Sequence, residues 1–147
     1  MRLIAAVLAG LALFLGPNFV RAAWDEAAPA QEPRLVAAMF RSSWCSACRV
    51  LEPRVEDVRE EMAGEPIGWV RFNFTWGERD GLRGLAEEEG IAPLYDELAG
   101  RTGFLVLMDR ETGQVFEIVT MDYDRARIRE ALERWLVVVD RLESVEG

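Results

Sequence analysis

Two short, largely apolar runs constrain this chain most: Arg34 to Phe40 (RLVAAMF) and Gly103 to Met108 (GFLVLM). Both are strand-length, and both run into polar turn residues, Arg41-Ser42-Ser43 and Asp109-Arg110-Glu111-Thr112-Gly113. Each reads as a buried strand, the second as a central one. From Trp44 to about Ala63 the pattern is helical: Ala47, Val50, Leu51, Val55, Val58 and Met62 recur at three- and four-residue steps. Pro53 is expected to kink this helix, and Gly64 ends it. Ile67 to Thr75 (IGWVRFNFT) predicts a second strand, rich in aromatic and β-branched residues. Glu78 to Glu89 reads as a short acidic helix stopped by Gly90, and Ile91 to Thr102 as a loop with one helical turn around Leu94–Leu98. Gln114 to Met121 completes a hairpin with the second buried run. A final helix runs from Asp124 to Val145, with Ile128, Leu132, Trp135, Leu136, Val139 and Leu142 forming its apolar stripe. Strand, helix, strand at the front implies a parallel pair with a crossover, and the hairpin adds antiparallel strands. The expected class is α/β, with a mixed central sheet and helices on both faces.

The amino terminus has the three-part layout of a secretory signal: Met1-Arg2, an apolar stretch from Leu3 to Leu15, and a break at Gly16-Pro17-Asn18 before the small residues around Ala22. The apolar stretch falls short of the ~20 residues that span a bilayer. The expected organisation is a signal peptide over 1–22, a Pro-containing linker over 23–33 and one domain over 34–147, with an uncleaved membrane anchor as the alternative for the leader. Export places the mature protein in the periplasm.

Composition removes most catalytic chemistries. The chain has 147 residues and no His. Ser-His-Asp triads, Cys-His dyads, and His-ligated zinc or haem are therefore excluded. All 17 cations are Arg, which removes a Schiff-base or P-loop lysine. The net charge of −9, with no basic run, argues against a nucleic-acid backbone or an anionic membrane surface as partner.

Cys45 and Cys48 are the only thiols. In an exported domain they could form a disulfide, but a bridge across so short a loop stabilises little, so chemistry explains the pair better. They open a helix directly after a buried strand. The first N–H groups of a helix lack intrahelical partners, and its dipole is positive there, so a thiolate at Cys45 is favoured. Cys48, one turn on, is within reach and can attack a mixed disulfide formed on Cys45. Arg49 adjoins the pair.

Trp44-Cys45-Ser46-Ala47-Cys48-Arg49, with Pro53 five residues beyond the second cysteine, resembles the thioredoxin family. Arg71-Phe72-Asn73 and the hairpin GFLVLMDRETGQVFEIV extend the resemblance over most of 34–145. The resemblance implies the thioredoxin-like fold and thiol–disulfide exchange, with Cys45 as nucleophile and Cys48 as resolving thiol of a redox-active disulfide. It also implies substrate contacts at Trp44 and at Thr102-Gly103, where the family has a cis-proline before its closing hairpin. A second departure is Met39, which stands where the family has a buried acid beneath the cysteines. No cofactor and no resident metal are implied. The expected partners are protein dithiols or disulfides, with a membrane electron donor to keep the protein reduced, and the expected state is a monomer. Ser46-Ala47 puts no cation between the cysteines, which favours a reductase or isomerase over an oxidase. The alternatives are a copper(I)-binding protein of the same fold, since two thiolates suffice for that ion, and a non-enzymatic adaptor. Trp24, Trp69, Trp76 and Trp135 read as core or surface aromatics, and Met39, Met62, Met108 and Met121 as core fillers.

Overall fold

The computed structural model describes residues 32–77 and 79–147. The leader expected at 1–22, and with it Trp24 and the linker as far as residue 31, lies outside the described residues. Every strand and helix described belongs to the unit from Pro33 to Gly147. No helix among the described residues is long and apolar enough to cross a membrane.

Four strands make one sheet: β1 (Leu35–Arg41), β2 (Ile67–Asn73), β3 (Phe104–Asp109) and β4 (Val115–Val119), in the order β2-β1-β3-β4. β1 pairs parallel with β2, from Leu35 opposite Ile67 to Arg41 opposite Asn73. It pairs antiparallel with β3, from Leu35 opposite Asp109 to Phe40 opposite Phe104. β3 and β4 form the antiparallel hairpin. The parallel pair is joined through α1 (Ser46–Glu61); α2 (Leu82–Glu88) and α3 (Ala92–Leu98) connect β2 to β3; and α4 (Arg125–Glu146) closes the chain.

β1 is apolar from Leu35 to Phe40, where it is covered on both faces, and ends on the partly exposed Arg41. Leu35, Ala37 and Met39 point into a layer formed with Leu51, Val55 and Val58 of α1 and Ile128, Leu132 and Val139 of α4. Val36, Ala38 and Phe40 point into a second layer with Leu82, Ala86, Ile91 and Leu94. Phe40 is the hub of that layer, with ring centroids 4.9 Å from Phe72 and 5.1 Å from Phe104.

Several local readings are corrected. α2 starts at Leu82, later than the expected Glu78, behind Gly81 at φ +80°. The segment read as a loop from Ile91 contains the two-turn helix α3, because Pro93 occupies its first turn, where a missing N–H is harmless. β2 stops at Asn73 rather than Thr75. The Asn73 side chain accepts from the Thr75 N–H (3.2 Å) and turns the backbone out of the ladder. Pro53 lies inside α1, as expected, and the helix continues past it to Glu61. Met39, Met62 and Met108 are core residues as expected, but Met121 is 48% exposed, beyond the end of β4. Leu142 of the expected stripe also faces solvent, since α4 is exposed throughout beyond Val139. Asp124 caps α4, accepting from the Arg127 N–H at 2.9 Å.

The far end of the sheet is fastened by a buried ion pair. Arg34 Nε and Nη2 donate to the two oxygens of Asp109 at 2.9 and 3.0 Å, with side-chain exposures of 3% and 1%. Asp109 also accepts from the Glu111 N–H and the Thr112 hydroxyl, so the same carboxylate shapes the hairpin turn.

Candidate active site at the start of the first helix

Cys45 is the N-cap of α1, in an extended conformation (φ −77°, ψ 113°). Its sulfur occupies the place normally taken by a Ser or Asp oxygen and accepts the Cys48 N–H at 3.1 Å. Burial opposes ionisation of this partly exposed thiol. Hydrogen bonds from the Cys48 thiol, the Thr102 hydroxyl, and the Cys48 and Ala47 backbone N–H groups outweigh burial and hold its pKa below the ordinary thiol value. Cys48 is 1% exposed. Burial first, then the hydrogen bond to the Cys45 sulfur, pushes its pKa up to about 11. The pair is therefore asymmetric: a reachable sulfur that prefers to be a thiolate, and a covered one that keeps its proton.

The two strand ends enclose this pair. The Phe40 carbonyl, last but one on β1, accepts the Gly103 N–H at 2.8 Å and lies 3.9 Å from Cys48 Sγ. Gly103 is held at φ +101°. A Cβ there would lie 2.9 Å from Ala47 Cβ and 3.2 Å from Cys45 Sγ. Only a residue without a side chain fits that conformation and that gap. The geometry accounts for the missing proline, whose φ near −65° and lack of an N–H match neither the backbone angle nor the bond to Phe40. Gly103→Ala is accordingly expected to destabilise the protein by about 1–3 kcal/mol. It should also slow alkylation of Cys45 by displacing its sulfur. Thermal unfolding and thiol labelling check the two effects, and an unchanged Tm would contradict this account.

All five residues singled out from the sequence meet here. Trp44 is 54% exposed beside Cys45; the Cys48 N–H donates to the Cys45 sulfur; Thr102 helps hold the Cys45 pKa down; and the Cys45 sulfur lies close against Gly103. Met39 is buried in the first core layer, as the sequence indicated, so the strand offers no acid beneath the pair. The carboxylate near Cys48 comes from α1 instead. Glu52, one turn after Cys48, lines with Cys48, Arg49, Pro53, Glu56 and Arg71 a cleft of about 340 Å³. Its charge helps hold the Cys48 proton in place. Arg41 (3.0 Å) and Arg71 clamp that carboxylate. The i, i+4 spacing from Cys48 was the sequence signal that identifies Glu52. The exposure of Trp76 had no such signal: it is 78% exposed and meets Trp44 edge-on.

This mixed sheet, with helices on both faces and a C-x-x-C pair opening the helix after its inner parallel strand, is a thioredoxin-like fold. No family model matches the sequence, and no curated protein matches it. Among solved structures, the chain is similar to the Trxlp protein of Edwardsiella tarda at 16% identity, covering 76% of this chain and 91% of that one, with a TM-score of 0.46. It is similar to a thioredoxin of Malassezia sympodialis at 17%, covering 69% and 77%, with a TM-score of 0.44. A third likeness is to Fasciola hepatica thioredoxin, at 17% identity over 70% and 82%, with a TM-score of 0.41. The strand order and register carry the fold assignment.

Proposed function

We propose that this protein is an exported thiol–disulfide oxidoreductase acting on protein disulfides, as a reductase or isomerase rather than an oxidase. The observation that carries the reading is the sulfur of Cys45 at the N-cap of α1, partly exposed and accepting the Cys48 N–H at 3.1 Å, above a Cys48 that is buried.

The chemistry balances with the two cysteines alone. The Cys45 thiolate attacks one sulfur of a substrate disulfide; a bond forms between Cys45 and that sulfur, and the other substrate sulfur leaves as thiolate and takes up a proton. Cys48 then gives up its proton and attacks the Cys45 sulfur. The second substrate sulfur leaves, and a Cys45–Cys48 disulfide remains. The substrate gains two electrons and the protein loses two, so each turnover requires a dithiol donor to reset the pair. Export, supported by the leader-like segment over 1–22, would make that donor a membrane-borne dithiol and the working compartment the periplasm. Donors to Cys45 stabilise the reduced form, but none of them is a cation, which supports the reducing direction over a strongly oxidising one.

The test is the pH dependence of alkylation by iodoacetamide in the reduced protein. Cys45 should react with a midpoint below the ordinary thiol value of about 8.5, and Cys48 should stay inert near neutral pH. A Cys45 midpoint at or above that value, together with no exchange against a protein disulfide, would overturn the reading.

A further inference from the structure

We propose that Trp76 is a specificity-determining residue of this exchange site: with Trp44 it forms an aromatic platform that receives an apolar side chain lying close in sequence to the substrate's disulfide cysteine. The proposal rests on the reading of Cys45 as the nucleophile and names the substrate class, a polypeptide whose disulfide is flanked by exposed apolar residues.

Trp44 and Trp76 leave 54% and 78% of their surfaces in water. Their ring centroids are 6.4 Å apart at 83°, the edge-to-face arrangement that aromatic pairs prefer. Two neighbouring tryptophans left uncovered form an apolar patch of the kind that marks a binding surface, and Trp is among the residues most enriched at binding hot spots. The patch is continuous with the exchange site because Trp44 precedes Cys45 in the chain. A disulfide that reaches the Cys45 sulfur brings its flanking residues over these rings.

The second tryptophan is held there by a polar lacing. The Ser43 N–H, just before Trp44, donates to the Thr75 hydroxyl oxygen at 3.0 Å. That hydroxyl donates to Asn73 Oδ1 at 2.7 Å, and Arg41 Nη1 donates to the same oxygen at 2.9 Å. The loop carrying Trp76 is thus tied to the loop carrying Trp44, although the two come from different strands. The rings present no charge. A small polar disulfide gains little from them, whereas an apolar side chain gains by leaving water.

The experiment uses the full-length reduced protein and two peptides, each with one intrachain disulfide, identical except for Phe or Ser two residues from the first cysteine. The wild type should reduce the Phe peptide about tenfold faster in kcat/KM than the Ser peptide, the size that one aromatic contact of ~1.4 kcal/mol provides. Trp76→Ala should bring that ratio close to one, and Trp76→Phe should keep most of it. A ratio near one in the wild type, or one unaltered in Trp76→Ala, overturns the proposal. If the wild type reduces neither peptide nor 2-hydroxyethyl disulfide, it is the exchange reading itself that fails, and the proposal falls with it.

Discussion

Cys45→Ser is expected to lose thiol–disulfide exchange by roughly a thousandfold or more, because a serine hydroxyl is not ionised at neutral pH and no other nucleophilic sulfur is reachable. Cys48→Ser should behave differently. Its Cys45 still attacks, but nothing resolves the product, so a mixed disulfide with the substrate persists and appears as an adduct in intact-mass measurement. Cys48→Ala adds a second reading of the same site. It removes the thiol donor to the Cys45 sulfur, so the alkylation midpoint of Cys45 should rise relative to the wild type, and by more than in Cys48→Ser, whose hydroxyl can still donate. Equal activity in Cys45→Ser and the wild type would contradict the assignment of the nucleophile. Rapid loss of the adduct in Cys48→Ser would contradict that of the resolving thiol.

Asp109→Ala should be the most damaging change away from the site, with an expected loss of about 3–5 kcal/mol, the range for breaking a buried ion pair by removing one partner. The Arg34 guanidinium would stay covered without its bidentate acceptor, and the turn at Glu111 and Thr112 would lose the carboxylate that shapes it. The midpoint of urea unfolding measures the loss; a change below about 0.5 kcal/mol, the scatter expected of an ordinary surface substitution, would contradict it. Acid sensitivity gives a second readout. Burial works against the Asp109 carboxylate, but its hydrogen bonds to Arg34, Thr112 and the Glu111 N–H win, so its folded pKa lies below the unfolded value. Its contribution to stability is complete above the unfolded carboxylate pKa of about 3.9 and is lost as pH falls through the folded value. The wild type should therefore weaken on acidification below about pH 4, and Asp109→Ala should show a shallower slope over that window.

The parts of the molecule legible from the chain are those in which cause and effect lie close in sequence. The runs at Leu35–Phe40 and Phe104–Met108 announce strands covered on both faces, and they are the two inner strands of the sheet. The stripe of α4 reads correctly at Ile128, Leu132 and Val139 and fails at Leu142, because periodicity describes a face of the helix and not how far along it the sheet reaches. The helical turn expected at Leu94–Leu98 is the second half of α3; its start at Ala92 was obscured by Pro93, which looks like a breaker until its place in the first turn is known. Met121 looks like a core residue by composition and faces solvent, and Trp76, which the sequence left open between core and surface, does so too, since nothing local decides which loops the core covers.

What the sequence by itself determined is the chemistry: with no His, no Lys and two cysteines at a strand-to-helix junction, the only strong nucleophile is a thiolate, and the free N–H groups that favour it belong to the same few residues. What only the tertiary structure decided is the company that thiolate keeps. The resemblance pointed to Thr102 and Gly103, but the clamp of Arg41 and Arg71 on Glu52 and the ring of Trp76 join the site only through the sheet, in which β1 lies between β2 and β3 and Arg41 stands opposite Asn73. Such contacts between distant residues follow from strand pairing and burial, which are properties of the whole sheet and leave no trace in any single stretch of the chain.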